Sequence, residues 1–410
     1  MTRRVLLLIP TTSYKARDFL AAAERMQVQV VVGTNRRQAL EDAAPGNTLT
    51  LDFTDLTESL ERIVAEHRRK PFCSVLGVDD EATILAAEAA NALALPHNPA
   101  GSVRAARDKY ETRKLISAAG LRSPWFFRVA REGGVDEAGA RARYPCVLKP
   151  ICLSASRGVI RADDRKQLRA AFERIASILR SPAVLKKGGD LEHVLVEEYL
   201  PGQEVALEGL LDRGRLAVLA LFDKPDPLEG PTFEETIYVT PSRLTDSLQS
   251  TIVEETAQAC RVLGLREGPV HAELRVRDGQ CWLLEVAART IGGLCSRVLR
   301  FGSGLSLEEV VLRHALKEQP PSIDREQAAA GVMMIPVPRT GVLRDVAGLE
   351  QARSEPLVDE VTLTTHRGAE LVAPPDGDRY LGFIFARGAE PQAVESALRR
   401  AHARLSFAVD

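Results

Sequence analysis

The sequence predicts an α/β protein built in three parts, and three observations carry that prediction. Over residues 1–100, short apolar runs alternate with amphipathic ones, the pattern of a parallel sheet covered by helices. Between Pro269 and Gly293, two alternating segments flank an Asp278-Gly279 turn and carry one glutamate each towards a common site. After residue 296, short strand-like runs are interleaved with helical ones, which reads as a C-terminal α+β unit.

Composition narrows the class. A chain of 410 residues can bury two or three separate cores. Its formal net charge of −2 offers no overall basic field for nucleic acid. No apolar run reaches membrane-spanning length. The start, MTRRVLLLIP, is too short for a signal-peptide core and lacks a small-residue cleavage site, so it reads as a first strand. The six cysteines lack C-x-x-C spacing and read as buried free thiols in a reducing cytoplasm.

The N-terminal elements follow in order: strand Val5–Ile9, helix Ala16–Met26, strand Val28–Val32, helix Leu56–Arg68, strand Ser74–Gly77 and helix Glu81–Ala92. The turns Pro10–Tyr14 and Val78–Glu81 fall at the carboxyl edge, where open α/β sheets bind ligands. No G-x-G-x-x-G follows the first strand, which argues against a dinucleotide site. Asp79, Asp80 and Glu81 begin a helix and read as complements to its dipole. A boundary turn at Asn98–Gly101 leads into a helix over Val103–Ala119 that carries Lys109 on a solvated face and stops at Gly120.

In the middle of the chain, Pro145–Ile151 is an apolar strand with one lysine in it. Burying an unpaired ammonium is costly, so Lys149 calls for an anion or an outward path. The loop CLSASRGV follows, and its small residues around Ser154, Ser156, Arg157 and Gly158 can close backbone N–H groups on phosphate oxygens. It lacks the G-K-[ST] of a Walker loop. Helix Arg165–Leu179 is amphipathic. Pro182–Asp190 reads as a loop, Val194–Glu198 as a strand, and Val205–Leu211 with Leu216–Phe222 as a hairpin. A Pro-rich loop, Asp223–Glu235, then carries Lys224. Exposed backbone after Glu198, near Leu200 and Glu204, suits a purine edge and a ribose as well as it suits a plain turn.

The hairpin poses a question of register. A two-residue Asp-Gly loop pairs Arg277 with Gln280 and sends Glu273 and Glu285 to opposite faces of a regular ladder. A three-residue loop pairs Arg277 with Cys281 and sets Glu273 opposite Glu285 with both apolar rows aligned, so hydrophobic pattern favours it. Opposed carboxylates repel unless a proton or a cation intervenes, and carboxylate oxygens suit Mg²⁺. Arg289 follows closely, where a guanidinium can meet charge developing on a transferred phosphoryl group. His271 shares the glutamate face and reads first as a structural histidine, with orientation of a substrate or metal ligand as the sharper alternative.

In this order the pieces resemble the ATP-grasp superfamily over essentially the whole chain. FDKPDPLEGPTFEETIYVTPSRL and GPVHAELRV…LLEVAARTIGG look most like its carboxylate–amine ligases, which join amino acids into dipeptides. The resemblance implies an ATP-grasp fold: a Rossmann-like domain at 1–102, a small lobe with a lid at 103–200, and a large lobe with a C-terminal α+β subdomain at 201–410. It also implies ATP with Mg²⁺, two ions for which Mn²⁺ can substitute. Carried over, Lys109 and Lys149 resemble the nucleotide lysines and Ser154–Gly158 the lid. Glu197, Glu198 and Leu200 match the adenine hinge, Glu204 the ribose acid and Lys224 a γ-phosphate contact. Glu273 and Glu285 match the metal carboxylates, and Arg289 the arginine at the acyl phosphate. Many relatives carry Asn two residues after the second glutamate. Here that position is Ala287, which leaves Glu285 to bridge both ions. The implied protein is a cytoplasmic homodimer acting on small carboxylate and amine substrates, without nucleic acid or membrane. The rival readings are an ATP-grasp carboxylase that activates bicarbonate, a non-catalytic nucleotide-binding protein, and a different nucleotide enzyme on a Rossmann-like sheet.

Overall fold

The computed structural model describes residues 3–36 and 47–410. Four strands form a parallel N-terminal sheet in the order Thr48–Thr50, Gln29–Thr34, Arg4–Leu8, Ser74–Gly77. Its central strand is buried on both faces, as the continuous apolar run required. Val5 and Leu7 pack with Phe19 and Ala22, while Leu6 and Leu8 pack with Ile63 and Leu85. The loops after its strands, Pro10–Lys15 and Asp79–Glu81, open onto a large cleft, as the carboxyl-edge rule predicts.

The helix expected over Val103–Ala119 is two helices, Ala100–Arg107 and Lys109–Ala118. Asp108 between them is extended, and its carboxylate accepts from the Glu111 N–H at 2.9 Å. An N-cap there satisfies an orphan donor of the second helix and breaks the first. The break places Lys109 in a first turn that faces the cleft, not on a solvated face.

A small antiparallel sheet forms one wall, in the order Phe126–Ala130, His193–Glu198, Cys146–Pro150, Ile160–Ala162. Helix Arg165–Leu179 covers it through Leu168, Phe172, Ile175 and Leu179. The segment read as a loop at Pro182–Asp190 begins with a helical turn, Pro182–Leu185.

The other wall is an eight-stranded antiparallel sheet. Its order is Gln280–Ala287, Gly268–Arg277, Gln203–Asp212, Arg215–Lys224, Ile237–Thr240, Ala329–Ile335, Gly382–Gly388, Val358–Leu363. The C-terminal strands thus continue the sheet of the glutamate hairpin. They join because Ile237–Thr240 pairs with Ala329–Ile335, and helix Pro391–Ala403 seals the face over Val239, Met333 and Ile384. Among the described residues, no helix is long and apolar enough to cross a membrane. Cys146, Cys260, Cys281 and Cys295 are buried free thiols, while Cys73 lies exposed and Cys152 half-buried.

Candidate active site

The hairpin reaches the expected pairing by another route. Asp278 and Gly279 form a two-residue turn with φ of 51° and 73°, and Arg277 pairs with Gln280. Positive φ at both central residues matches the twist of a tight hairpin, which is what Asp-Gly supplies. The three-residue loop is therefore corrected. Glu273 nevertheless stands opposite Glu285, because the register shifts after Glu273 and Leu284 is left as an extra residue. A β-bulge lets Cys281, Leu283 and Val286 all face the same apolar cluster as Leu274, although regular alternation would send Glu285 there with Leu283. The bulge turns Glu285 out to the cleft. The bulged carbonyl of Leu284 is not orphaned, since Arg113 Nη2 donates to it at 2.9 Å.

The cleft has a volume of about 1500 Å³ and draws on the small sheet, the large sheet and the N-terminal loops. Drug-sized pockets run to roughly 1,000 Å³ at most, so the cleft has room for more than one small ligand. Lys109, Lys149, Ser154, Ser156, Arg157, Glu197, Glu198, Leu200, Glu204, His271, Glu273, Glu285 and Arg289 all line it. Gly158 and Lys224 do not. Gly158 is buried beneath the loop with φ of +73°, and a Cβ there would stand 2.7 Å from Pro150 Cγ. Ala155 and Ser156 above it also have positive φ, 55° and 53°, an arrangement that side chains adopt only when the surroundings impose it. The loop is held from outside: the Gly158 N–H donates to Pro375 O at 2.8 Å, and Arg157 lies 3.5 Å from Asp378.

Lys224 lies under the large sheet's wall. Its ammonium donates to Glu204 at 2.7 Å, to Glu273 at 3.0 Å and to Glu235. Burial works against its charge, but the three carboxylates outweigh burial and raise its pKa well above the usual lysine value. Burial and the charge of Glu273 push Glu235 up to about 7. Glu273 moves the other way: burial opposes its charge, while Lys224 and His271 hold it well below the ordinary carboxylate range. His271 lies between Glu208 at 3.1 Å and Glu273 at 3.5 Å. Burial lowers its pKa, the two carboxylates outweigh that, and the net shift is upward. The bond to Glu208 inside the sheet is what the structural reading of this histidine called for. Glu204 has both oxygens engaged, by Lys224 and by Arg275 Nε at 3.1 Å.

On the facing wall, Lys149 pairs with Glu197, which also accepts from Arg113 Nε at 2.9 Å. Burial lowers the Lys149 pKa against the pull of Glu197. The Glu197 carboxylate is 2% exposed and committed to these two bases. Lys109 comes within 3.6 Å of Glu285 across the cleft.

Sequence reasoning passed over three contributors. Glu235 sits after a Pro-rich loop without periodicity, yet its oxygen lies within 4.8 Å of those of Glu204 and Glu273. The doubled acid beside Lys224 was the available signal. Lys15, 1% exposed, ion-pairs with Asp79 at 3.0 Å. Asp80, read as a simple helix-terminal acid, instead meets Arg289 at 3.0 Å.

Comparison with known proteins fits this geometry. An ATP-grasp domain matches residues 142–298, an ATP-grasp N-terminal domain 20–97, and an L-amino acid ligase C-terminal domain 333–410. The chain carries an ATP-grasp domain. It aligns over 100% of its length with 99% of the crystal structure of an L-amino acid ligase from Bacillus licheniformis, at a TM-score of 0.85 and 27% identity. Alanine–anticapsin ligase of Bacillus subtilis is 30% identical over 200 residues, 46% of this chain and 42% of that protein. Dapdiamide A synthase of Enterobacter agglomerans is 29% identical over 198 residues, 46% of this chain and 43% of that protein. The chain thus matches under half the length of these two ligases. These relatives are amide-forming ATP-grasp ligases, and the family uses ATP and Mg²⁺. The hard oxygen donors Glu273 and Glu285, opposed on one face of the cleft, fit such an ion.

Proposed function

We propose that the chain is an ATP-dependent carboxylate–amine ligase that joins two amino-acid-like substrates through an acyl phosphate and releases ADP and phosphate. One observation carries the reading: Glu273 and Glu285 oppose each other on one wall of a single cleft, facing Lys109 and Lys149, with Arg289 beside them. Lys109 and Lys149 draw the triphosphate against the small sheet, and Ser154–Arg157 fold over it. Glu198 and Leu200 border the base. When bound, Mg²⁺ held by Glu273 and Glu285 supplies neutralisation of the phosphate charge during in-line transfer to the substrate carboxylate. Arg289 donates to the acyl phosphate and to the oxyanion that forms as the amine attacks. The lid loop excludes water, which would otherwise hydrolyse the intermediate.

Lys224 acts in this reading as the buried counter-ion of Glu204 and Glu273, with phosphate contact secondary. Two ions are proposed, with Mn²⁺ able to substitute and Glu285 bridging them in the absence of an asparagine at Ala287. The proposal extends to a homodimer in the cytoplasm. The test is ADP and phosphate release across pairs of amino acids, with bicarbonate alone as control and mass spectrometry of the product. Release should require two amino acids and yield an amide. Release on bicarbonate alone would move the protein to the carboxylases.

A further inference from the structure

The helix Asp80–Ala92 begins at the seam between the N-terminal sheet and the cleft, and the acids at its start do not serve the helix. Asp79 is its N-cap residue and makes no capping hydrogen bond. Its carboxylate instead meets Lys15, whose ammonium also donates to Val78 O at 2.9 Å and to Thr290 O and Oγ1, each at 3.3 Å. Asp80 accepts from Arg289 Nη2 at 3.0 Å, and Arg107 stands 3.8 Å away as its second base. Arg289 Nη1 donates to Thr290 O at 3.0 Å. Adjacent residues Arg289 and Thr290 are therefore both held by the N-terminal part of the chain, Arg289 through its ion pair with Asp80 and Thr290 through hydrogen bonds from Lys15.

We propose that Asp80 is a positioning residue for Arg289, so that the N-terminal domain, through Asp80 and through Lys15 on Thr290, sets the angle at which the guanidinium meets the acyl phosphate. The inference rests on the ligase reading above. A guanidinium is a planar fork, and bonds to Asp80 and Thr290 O fix its plane and leave its remaining N–H groups to the cleft. The Asp80 carboxylate opposite this buried arginine also holds the side chain from swinging to Glu285 or Asp79, its other acidic neighbours. The charges are consistent with the contact: burial opposes both, yet Arg289 and Arg107 hold Asp80 below its ordinary pKa, and Asp80 raises that of Arg289. A misplacement of about 1 Å at a reacting centre costs on the order of a hundredfold in rate, so a residue that touches no substrate can govern turnover.

A double-mutant cycle tests this. Wild type, Asp80→Asn, Arg289→Gln and the double variant are assayed for ADP release with MgATP and an equimolar mixture of the twenty L-amino acids, beside thermal melts. Asp80→Asn should lower kcat by about tenfold to a hundredfold while the KM for MgATP changes by less than about twofold. In the Arg289→Gln background it should lower kcat no further, because its effect passes through the arginine. Asp80→Glu should recover part of the rate, and Lys15→Met should show a smaller loss that is likewise absent without Arg289. Losses that multiply in the double variant, or that track melting temperature alone, would show that Asp80 acts structurally and overturn the proposal. A slow Arg289→Gln with a normal Asp80→Asn overturns positioning and leaves the ligase reading intact. A fully active Arg289→Gln, or a wild type inert in the mixture, removes the ligase reading itself and the proposal with it.

Discussion

Two lysines flank the cleft, Lys224 beneath one wall and Lys149 on the other, and their environments differ in one respect. Lys224, on the large-sheet side, stands among Glu204, Glu235 and Glu273. Lys149, on the small sheet, has one carboxylate, Glu197, which it shares with Arg113. Burial penalises both ammonium groups equally in kind. Three carboxylates overturn the penalty at Lys224 and raise its pKa, while a shared one leaves Lys149 lowered. One wall thus holds carboxylate beyond what its own bases neutralise, and the other holds base beyond its acids. The first is suited to a cation and the second to phosphate.

Substitutions can break that contrast. The largest effect is expected at the acid-rich wall. Glu273→Gln or Glu285→Gln should reduce turnover about a thousandfold or more, measured as ADP release at saturating MgATP. Apo Glu285→Gln should unfold within about 0.5 kcal/mol of wild type, since its ion pair among the described residues is a loose one with Lys109 at 3.6 Å. Near-normal turnover with a much lower melt would reverse the roles and abandon the metal site.

Next is Lys224→Met. Removing the cation that the three carboxylates share should lower stability by roughly 3 kcal/mol in urea unfolding. A variant as stable as wild type would mean that Lys224 is a spare phosphate ligand and not the counter-ion of the wall. Lys149→Ala should do less to the fold, because Glu197 keeps Arg113 at 2.9 Å. Its effect belongs to binding: MgATP affinity by calorimetry should fall about tenfold or more. Unchanged affinity in the folded variant would show that Lys149 only serves Glu197.

The smallest effect sharpens the comparison through pH. Burial raises the pKa of Glu234, beside the acidic cluster, from 4.5 to about 7. Between those values the folded state binds more proton than the unfolded one, so this group makes stability fall as pH rises through the window. Glu234→Gln should flatten the slope of stability between about pH 4.5 and 7, read from urea midpoints. A slope unchanged in the variant would assign it to other groups.

Much of the fold was legible in local pattern. The run Val5–Leu8 has a buried strand's composition, and the structure buries it on both faces. Lys149 in an apolar strand announced an anion, and the structure supplies Glu197. The opposition of Glu273 and Glu285 was legible as well, though through the wrong turn. Alternation could show that both glutamates needed one face. It could not show a bulge, since the carbonyl of the displaced Leu284 finds its partner in Arg113, far away in the sequence.

The sequence by itself determined most of the elements, the existence of the hairpin, the hard-oxygen character of its site and the ATP-grasp resemblance, because these follow from neighbours a few residues apart. Only the tertiary structure decided which charges meet. Lys224 finds Glu273 49 residues away and Arg289 finds Asp80 209 residues away. Such pairings carry no periodicity along the chain. They exist because two sheets and a domain seam bring distant side chains into one low-dielectric space, where each buried charge must find a partner.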